Sequence, residues 1–264
     1  MQPRIAFHNV TKIFYARRQT ITAVKDFSME VFPGEFVTIV GPSGCGKSTV
    51  IRMLDGITPP SEGRILIDGT DFGGKKLDVE TLKKIGFIFQ EPNLLPWLTV
   101  EQNVQLPLKI MHMNTPENQK RVHQLIDMVN MRAYASAYPV EVSGGMTQRV
   151  GVIRAMVHDP EILLMDEPFG ALDSITREQL NMELLQIWRE TNKTIIFITH
   201  NVEEAVLLSS RVYVMATDPG RLVDVVNIDL PRPRSLDMIT DDRFIAYTNQ
   251  LTHLIGEIDL SKIV

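Results

Sequence analysis

Gly41, Pro42, Ser43, Gly44, Cys45, Gly46, Lys47, Ser48 and Thr49 form an unbroken run with the spacing Gly-x-x-x-x-Gly-Lys-Ser. That spacing suits a polyphosphate. Glycines at 44 and 46 let the backbone wrap tightly, so that its N–H groups point at phosphate oxygens. Lys47 supplies a point charge for the terminal phosphates, and Ser48 a hydroxyl for Mg²⁺. A second set ends the apolar run Ile162-Leu-Leu-Met165 with two carboxylates, Asp166 and Glu167. Asp166 is suited to hold a metal, directly or through water. Glu167 is suited to orient or deprotonate an attacking water. A third, Ser143-Gly144-Gly145-Met146, precedes Val150, Ile153 and Val157 at helical spacing. It is a second glycine-rich helix start and a second candidate anion site.

These residues need elements to hold them. Glu35 to Val40 is a short, nearly continuous apolar run that predicts a buried strand directly before the phosphate loop. Val50 to Leu54 predicts a helix directly after it. Strands are also predicted at Arg64–Ile67, Ile85–Phe89, Ile162–Met165, Thr194–Ile198 and Arg211–Met215. Ile5, Phe7, Val10 and then Ile21, Val24, Phe27, Met29 and Val31 predict short antiparallel strands. Between about 91 and 157 the pattern turns helical, with Val122, Leu125, Ile126 and Val129 on one face. Leu180, Leu184, Ile187 and Trp188 line another helix. Phe244, Tyr247, Leu251, Leu254, Ile255 and Ile258 share a face of a last helix, with Thr240 as its cap. The chain therefore reads as an α/β core interrupted by a helical insert, followed by a C-terminal helical extension over 231–264.

The 264 residues carry 27 Lys+Arg against 32 Asp+Glu, a formal charge of −5. This mild acidity argues against a whole-surface nucleic-acid binder, and no nucleic-acid partner is expected. No run of 18 apolar residues occurs, so the sequence predicts no membrane span. The start of the chain lacks the apolar stretch of a signal peptide. Cys45 is the single cysteine, which excludes an intrachain disulfide. The phosphate loop does not distinguish ATP from GTP, but the guanine-reading stretch Asn-Lys-x-Asp is absent.

Taken together, the motifs resemble the ATP-binding subunits of ABC transporters from about Ile5 to Arg221. Val142-Ser143-Gly144-Gly145-Met146 is similar to the family's signature motif. Gln90 matches its Q-loop glutamine, Gly170-Ala-Leu-Asp173 its D-loop, and His200 its switch histidine. Phe14 looks like the aromatic that stacks on adenine, with Tyr15 as the alternative. The resemblance implies a P-loop NTPase (RecA-like) core with an antiparallel β subdomain and an inserted helical subdomain. It implies an ABC ATPase domain over 1–230. It also implies ATP and Mg²⁺ as ligands, with Ser48, Gln90 and Asp166 at the metal. Glu167, His200 and Lys47 would be the catalytic groups. In the implied homodimer two ATP molecules lie between the subunits. Each phosphate loop then faces Ser143–Gly145 of the other chain, and Asp173 couples the two sites. The thiol of Cys45 is expected to react with a maleimide and to be protected by MgATP. Gly151-Val-Ile-Arg154 departs from the Ala-Ile-Ala-Arg usual in the family.

Gln90-Glu-Pro-Asn-Leu-Leu-Pro-Trp-Leu-Thr-Val100 and Asp218-Pro-Gly-Arg221 resemble the nitrate/sulfonate/taurine import subgroup. That resemblance implies a subunit peripheral to the cytoplasmic face of the inner (plasma) membrane. Its permease would dock near Leu94–Leu98, and an extracytoplasmic solute-binding protein would act indirectly. The same apolar residues would also suit the core of the helical insert. An ATPase of lipid trafficking or export is the alternative reading. A non-transport ABC ATPase fits less well, because it would normally need a second nucleotide domain or a long coiled coil.

Overall fold

The computed structural model describes residues 2–16, 19–56, 58–71 and 79–260. Two long strands open the chain, β1 (Ile5–Ala16) and β2 (Gln19–Val31). β3 (Phe36–Val40) leads into α1 (Lys47–Arg52). β4 (Glu62–Ile67), β5 (Thr70–Asp71), α2 (Val79–Lys83) and β6 (Ile85–Ile88) follow. The helical insert holds α3 (Val100–Ile110), α4 (Pro116–Met128) and α5 (Gly144–Met156). Alternation then resumes with β7 (Ile162–Asp166), α6 (Ser174–Thr191), β8 (Thr194–Ile198), α7 (Val202–Leu208), β9 (Arg211–Ala216) and β10 (Arg221–Asn227). α8 (Asp242–Leu260) closes the chain.

Four strands form an antiparallel sheet in the order β2-β1-β4-β5. Six form a second sheet, β10-β9-β3-β8-β7-β6, in which only β10 runs antiparallel to its neighbour. The strands of the first sheet are longer than the sequence predicts. β1 and β2 stay paired through register shifts between Phe7 and Ile13, so polar residues there do not end the ladder.

Every residue of β3, β7 and β8 is buried, as expected of parallel strands covered on both faces. Their side chains divide with period two. Val37, Ile39, Leu164, Ile196 and Ile198 pack toward the antiparallel sheet, with Phe7 and Phe27 in edge-on contact there. Phe36, Val40, Leu163, Met165, Ile195 and Phe197 pack toward the helices. β3, β8 and β7 are adjacent, and their C-terminal ends open onto one edge, where α/β sheets bind ligands.

In the insert, Val122, Leu125, Ile126 and Val129 are all buried, as their spacing predicts. The last helix starts one residue later than the sequence predicts. Thr240 lies in a short 3₁₀ turn, and the Asp241 carboxylate accepts the Arg243 N–H at 2.8 Å instead. A carboxylate at that point also complements the helix dipole, which a threonine hydroxyl does not. Phe244, Leu251 and Ile258 of this helix are buried, and Tyr247, Leu254 and Ile255 pack beside them. Buried Arg234 ties the extension down by donating to the carbonyls of Val206, Ser209 and Ile228. Residues 261–264 of the expected extension lie outside the described residues. No described helix is long and apolar enough to cross a membrane.

Candidate functional site

The phosphate loop leaves β3 and enters α1 through Gly46, whose φ is +93°. A Cβ there would lie 2.7 Å from the carbonyl oxygen of Ala23, so only glycine fits. Above the loop is a cleft of about 360 Å³ lined by Ser43, Gly44, Gly46, Lys47, Ser48, Thr49 and Glu167. Lys47 is buried and folds back over its own loop, its Nζ donating to the carbonyls of Gly41 at 2.8 Å and Pro42 at 3.1 Å. Its hydrogen-bond partners are uncharged, so no carboxylate competes with an anion for the ammonium.

Ser48 Oγ donates to Asp166 Oδ1 at 2.8 Å. Burial holds the Asp166 carboxyl above the usual carboxylate range, against smaller opposing pulls from the Ser48 hydrogen bond and the Arg52 guanidinium. A hydroxyl and a carboxylate side by side are a hard-oxygen pair, and they fit a Mg²⁺ ion that keeps several waters. One residue on, Glu167 has a φ of +46°, uncommon for a non-glycine residue. Its N–H donates to the Ile198 carbonyl at 3.1 Å, which binds the turn after β7 to the end of β8. His200, two residues beyond β8, approaches Glu167 Oε2 with Nδ1 at 3.2 Å. Sequence reasoning missed a buried carboxylate beside this turn. Glu204, the third residue of α7, is buried and accepts from the hydroxyl of Thr199, next to His200, and from Asn181 Nδ2 at 3.1 Å; Asn201 caps that helix. The spacing Asn201-x-x-Glu204 is the available signal.

Other predicted residues lie outside the cleft. Ser143 and Gly144 are exposed, and Ser143 Oγ accepts the Met146 N–H as the cap of α5. Asp173 is exposed and caps α6, accepting from Thr176 at 3.0 Å. That hydrogen bond holds its carboxyl below the usual range. The two loops touch each other, since a Cβ on Gly145 would lie 2.9 Å from Thr176 Cγ2. Gln90 is exposed, and its carbonyl accepts from Gln148 Nε2 at 3.4 Å.

Gln148 belongs to a stripe on α5 that sequence reasoning did not find. Its amide also donates to the Pro168 carbonyl, and three residues on, Gly151 lies against Pro92. Three further, Arg154 donates to the carbonyls of Pro92 and Asn93. The departure at Gly151 thus has a packing reason. A Cβ there would approach Pro92 Cβ to 3.3 Å. Ile153 is fully buried in the core.

Cys45 corrects an expectation. Its side chain is fully buried and joins the core beneath the loop, so a maleimide cannot reach it in the folded chain. Phe14 is half-exposed and pairs across the hairpin with Ile21, which lines the cleft. Directly opposed residues share a sheet face. Tyr15 instead opposes Thr20 and is 78% exposed. Among the apolar residues after Gln90, Leu94 packs on the core and Trp97 is 68% exposed.

Residues 24–170 match the ABC transporter family. The chain belongs to the ABC transporter family. It is similar to an uncharacterized ABC transporter ATP-binding protein of Methanocaldococcus jannaschii, with 41% identity over 97% of this chain and 93% of that one. It is similar to an aliphatic sulfonates import ATP-binding protein of Bacillus cereus, with 40% identity over 88% of each chain. A solved ATP-binding cassette, dimeric and bound to ADP and Pi after hydrolysis, superposes with a TM-score of 0.75 at 33% identity. It covers 86% of this chain and the whole of that one. This ABC subunit is accordingly an ATP-binding ATPase with the P-loop NTPase fold that the sequence predicts.

Proposed function

We propose that this ABC subunit powers import of a small solute of the nitrate/sulfonate/taurine kind. The observation that carries the import reading is the 40% identity, over 88% of each chain, to an aliphatic sulfonates import ATP-binding protein. Trp97 supports a partner surface beside it. It stands on a turn that buried Asn103 pins through the carbonyls of Leu95, Leu98 and Thr99 and the N–H of Leu95. A large exposed aromatic on a rigid turn suits a permease helix. In this reading residues 1–230 are the ABC ATPase domain, with the helical insert over about 91–157, and 231–264 are an extension. The subunit sits on the cytoplasmic face of the membrane, and the solute-binding protein acts from the other side.

The cleft supplies the roles. Lys47 and the backbone of 41–49 bind the phosphates, and Phe14 meets the base. Ser48 and Asp166, with Gln90 nearby when ATP is bound, hold Mg²⁺, which neutralises phosphate charge. Glu167 takes the proton of the attacking water, and His200 holds Glu167 in position. Ser143, Gly144 and Gly145 lie on an exposed helix start, and Asp173 beside them, so a second copy presented head-to-tail would complete each site. Solved cassettes similar to this chain are dimeric, which supports a dimer here. The test is co-purification with a candidate permease, followed by ATPase assay with and without solute and binding protein. Sulfonate-stimulated turnover is the expected result. Absence of stimulation by any small anion would overturn the import reading.

A further inference from the structure

The segment Asp218-Pro219-Gly220 after β9 has no role in the reading above, yet it touches the site. Asp218 and Pro219 line the phosphate cleft together with Lys47, Ser48 and Thr49. They also line a second, neighbouring cleft of about 600 Å³ against the β1–β2 hairpin. The two clefts share Ile21, Thr22, Asp218 and Pro219, which therefore form the waist between them. Phe14 opposes Ile21, one of these shared residues, across the hairpin.

The waist is fixed rigidly against the phosphate loop. Gly220 is wedged so tightly that a Cβ would lie 2.2 Å from the Cys45 carbonyl oxygen and 2.4 Å from that of Ala23. The Lys25 N–H donates to the Gly220 carbonyl at 2.7 Å. Asp218 itself holds a φ of +56°, which aspartate and asparagine tolerate better than most residues. Asp218 is thus tied through Gly220 to the phosphate loop, and it lines both clefts.

A carboxylate can only accept hydrogen bonds. Beside the phosphates it would repel. One step further along a nucleoside triphosphate lies the ribose, with two adjacent hydroxyl donors and no charge. We propose that Asp218 is a specificity residue that accepts hydrogen bonds from the 2′- and 3′-hydroxyls of the ribose. The inference rests on the nucleotide-site reading above. Acidic side chains read ribose hydroxyls in the same way at the strand ends of dinucleotide-binding sheets.

The test measures the affinities of ATP, 2′-deoxy-ATP and 3′-deoxy-ATP by calorimetry on the full chain, for wild type, Asp218→Asn and Asp218→Ala. Lys47→Ala serves as the control for the site. Asn suits the left-handed backbone and keeps the loop, and thermal melts compare the folds. Wild type is expected to bind at least one deoxy analogue about tenfold more weakly than ATP, the size of one charge-assisted hydrogen bond at a half-open site. In both variants that preference should shrink to about twofold or less. Equal binding of all three nucleotides by wild type overturns the proposal, as does a tenfold preference that survives in Asp218→Ala. Either result leaves the nucleotide site standing if Lys47→Ala abolishes ATP binding. Undiminished ATP binding by Lys47→Ala would instead remove the site, and the proposal with it.

Discussion

Glu167 Oε2 and His200 Nδ1 stand 3.2 Å apart across the ends of β7 and β8. The carboxylate accepts, so Nδ1 carries the hydrogen of the pair. Nε2 is then an acceptor in the neutral ring and a donor to phosphate only in the imidazolium. This contact spans 33 residues of sequence and exists because the two strands are hydrogen-bonded neighbours. It links the proposed base to the group that holds it.

Glu167→Gln keeps shape and hydrogen bonding and removes the base. Hydrolysis should fall by at least about 10²-fold, the lower end for loss of a general base, while ATP binding survives. With MgATP the variant should elute as a dimer by size-exclusion chromatography with light scattering. Adding Ser143→Arg, at the exposed cap of α5, should return it to monomer. Normal turnover in Glu167→Gln would take this residue out of the catalytic role.

Lys47→Ala should abolish most ATP binding and hydrolysis. Its ammonium bonds only groups of its own loop, so the fold should persist. Calorimetry and a thermal melt check the two halves, and wild-type affinity would contradict the phosphate role.

Trp97→Asp should leave folding and ATP binding intact and weaken co-purification with the permease, because the indole is 68% exposed. Leu94→Asp is the contrast. Leu94 packs on the core, so that change should cost at least about 2 kcal/mol in urea unfolding. Equal loss of stability in both variants would return Trp97 to the core.

His158 is buried behind β6, and its Nε2 meets the Ile85 carbonyl at 3.2 Å. Burial lowers its pKa, the Ile85 carbonyl opposes that, and Lys193 and Arg121 add to the lowering while Asp159 opposes it. The unfolded chain therefore binds the proton first as pH falls. Stability from this group is complete above about pH 6.5 and declines below it, by at most about 1.4 kcal/mol per pH unit, down to the folded-state pKa. His158→Gln should flatten the urea midpoint against pH over that window. An unchanged slope would show that other groups set it.

Much of the site was legible because its chemistry is local. The phosphate loop needs its glycines, Lys47 and Ser48 within nine consecutive positions, and a buried strand ending in Asp166 and Glu167 is itself a short pattern. Short apolar runs announced the buried strands. Their neighbours could be read only from resemblance, since strand order leaves no mark in any one segment.

Three-dimensional packing decided the rest. Ser48 and Asp166 are 118 residues apart, and their hydrogen bond exists because β3 and β7 both flank β8. Leu94 and Trp97 look alike as apolar residues, but one meets the core and the other solvent. Cys45 sits in a polar loop, yet the curl of that loop turns its sulfur into the core. Gly151 read only as a departure from the family pattern and is the contact that lets Pro92 lie close. Asp218 was legible only as part of a stretch resembling one import subgroup, and the wedging of Gly220 against Cys45 and Ala23 holds it beside the cleft. Residue types and short spacings fix which chemistry a segment can perform. Exposure and long-range pairing depend on which surfaces the folded chain brings together, and those partners lie far away in sequence.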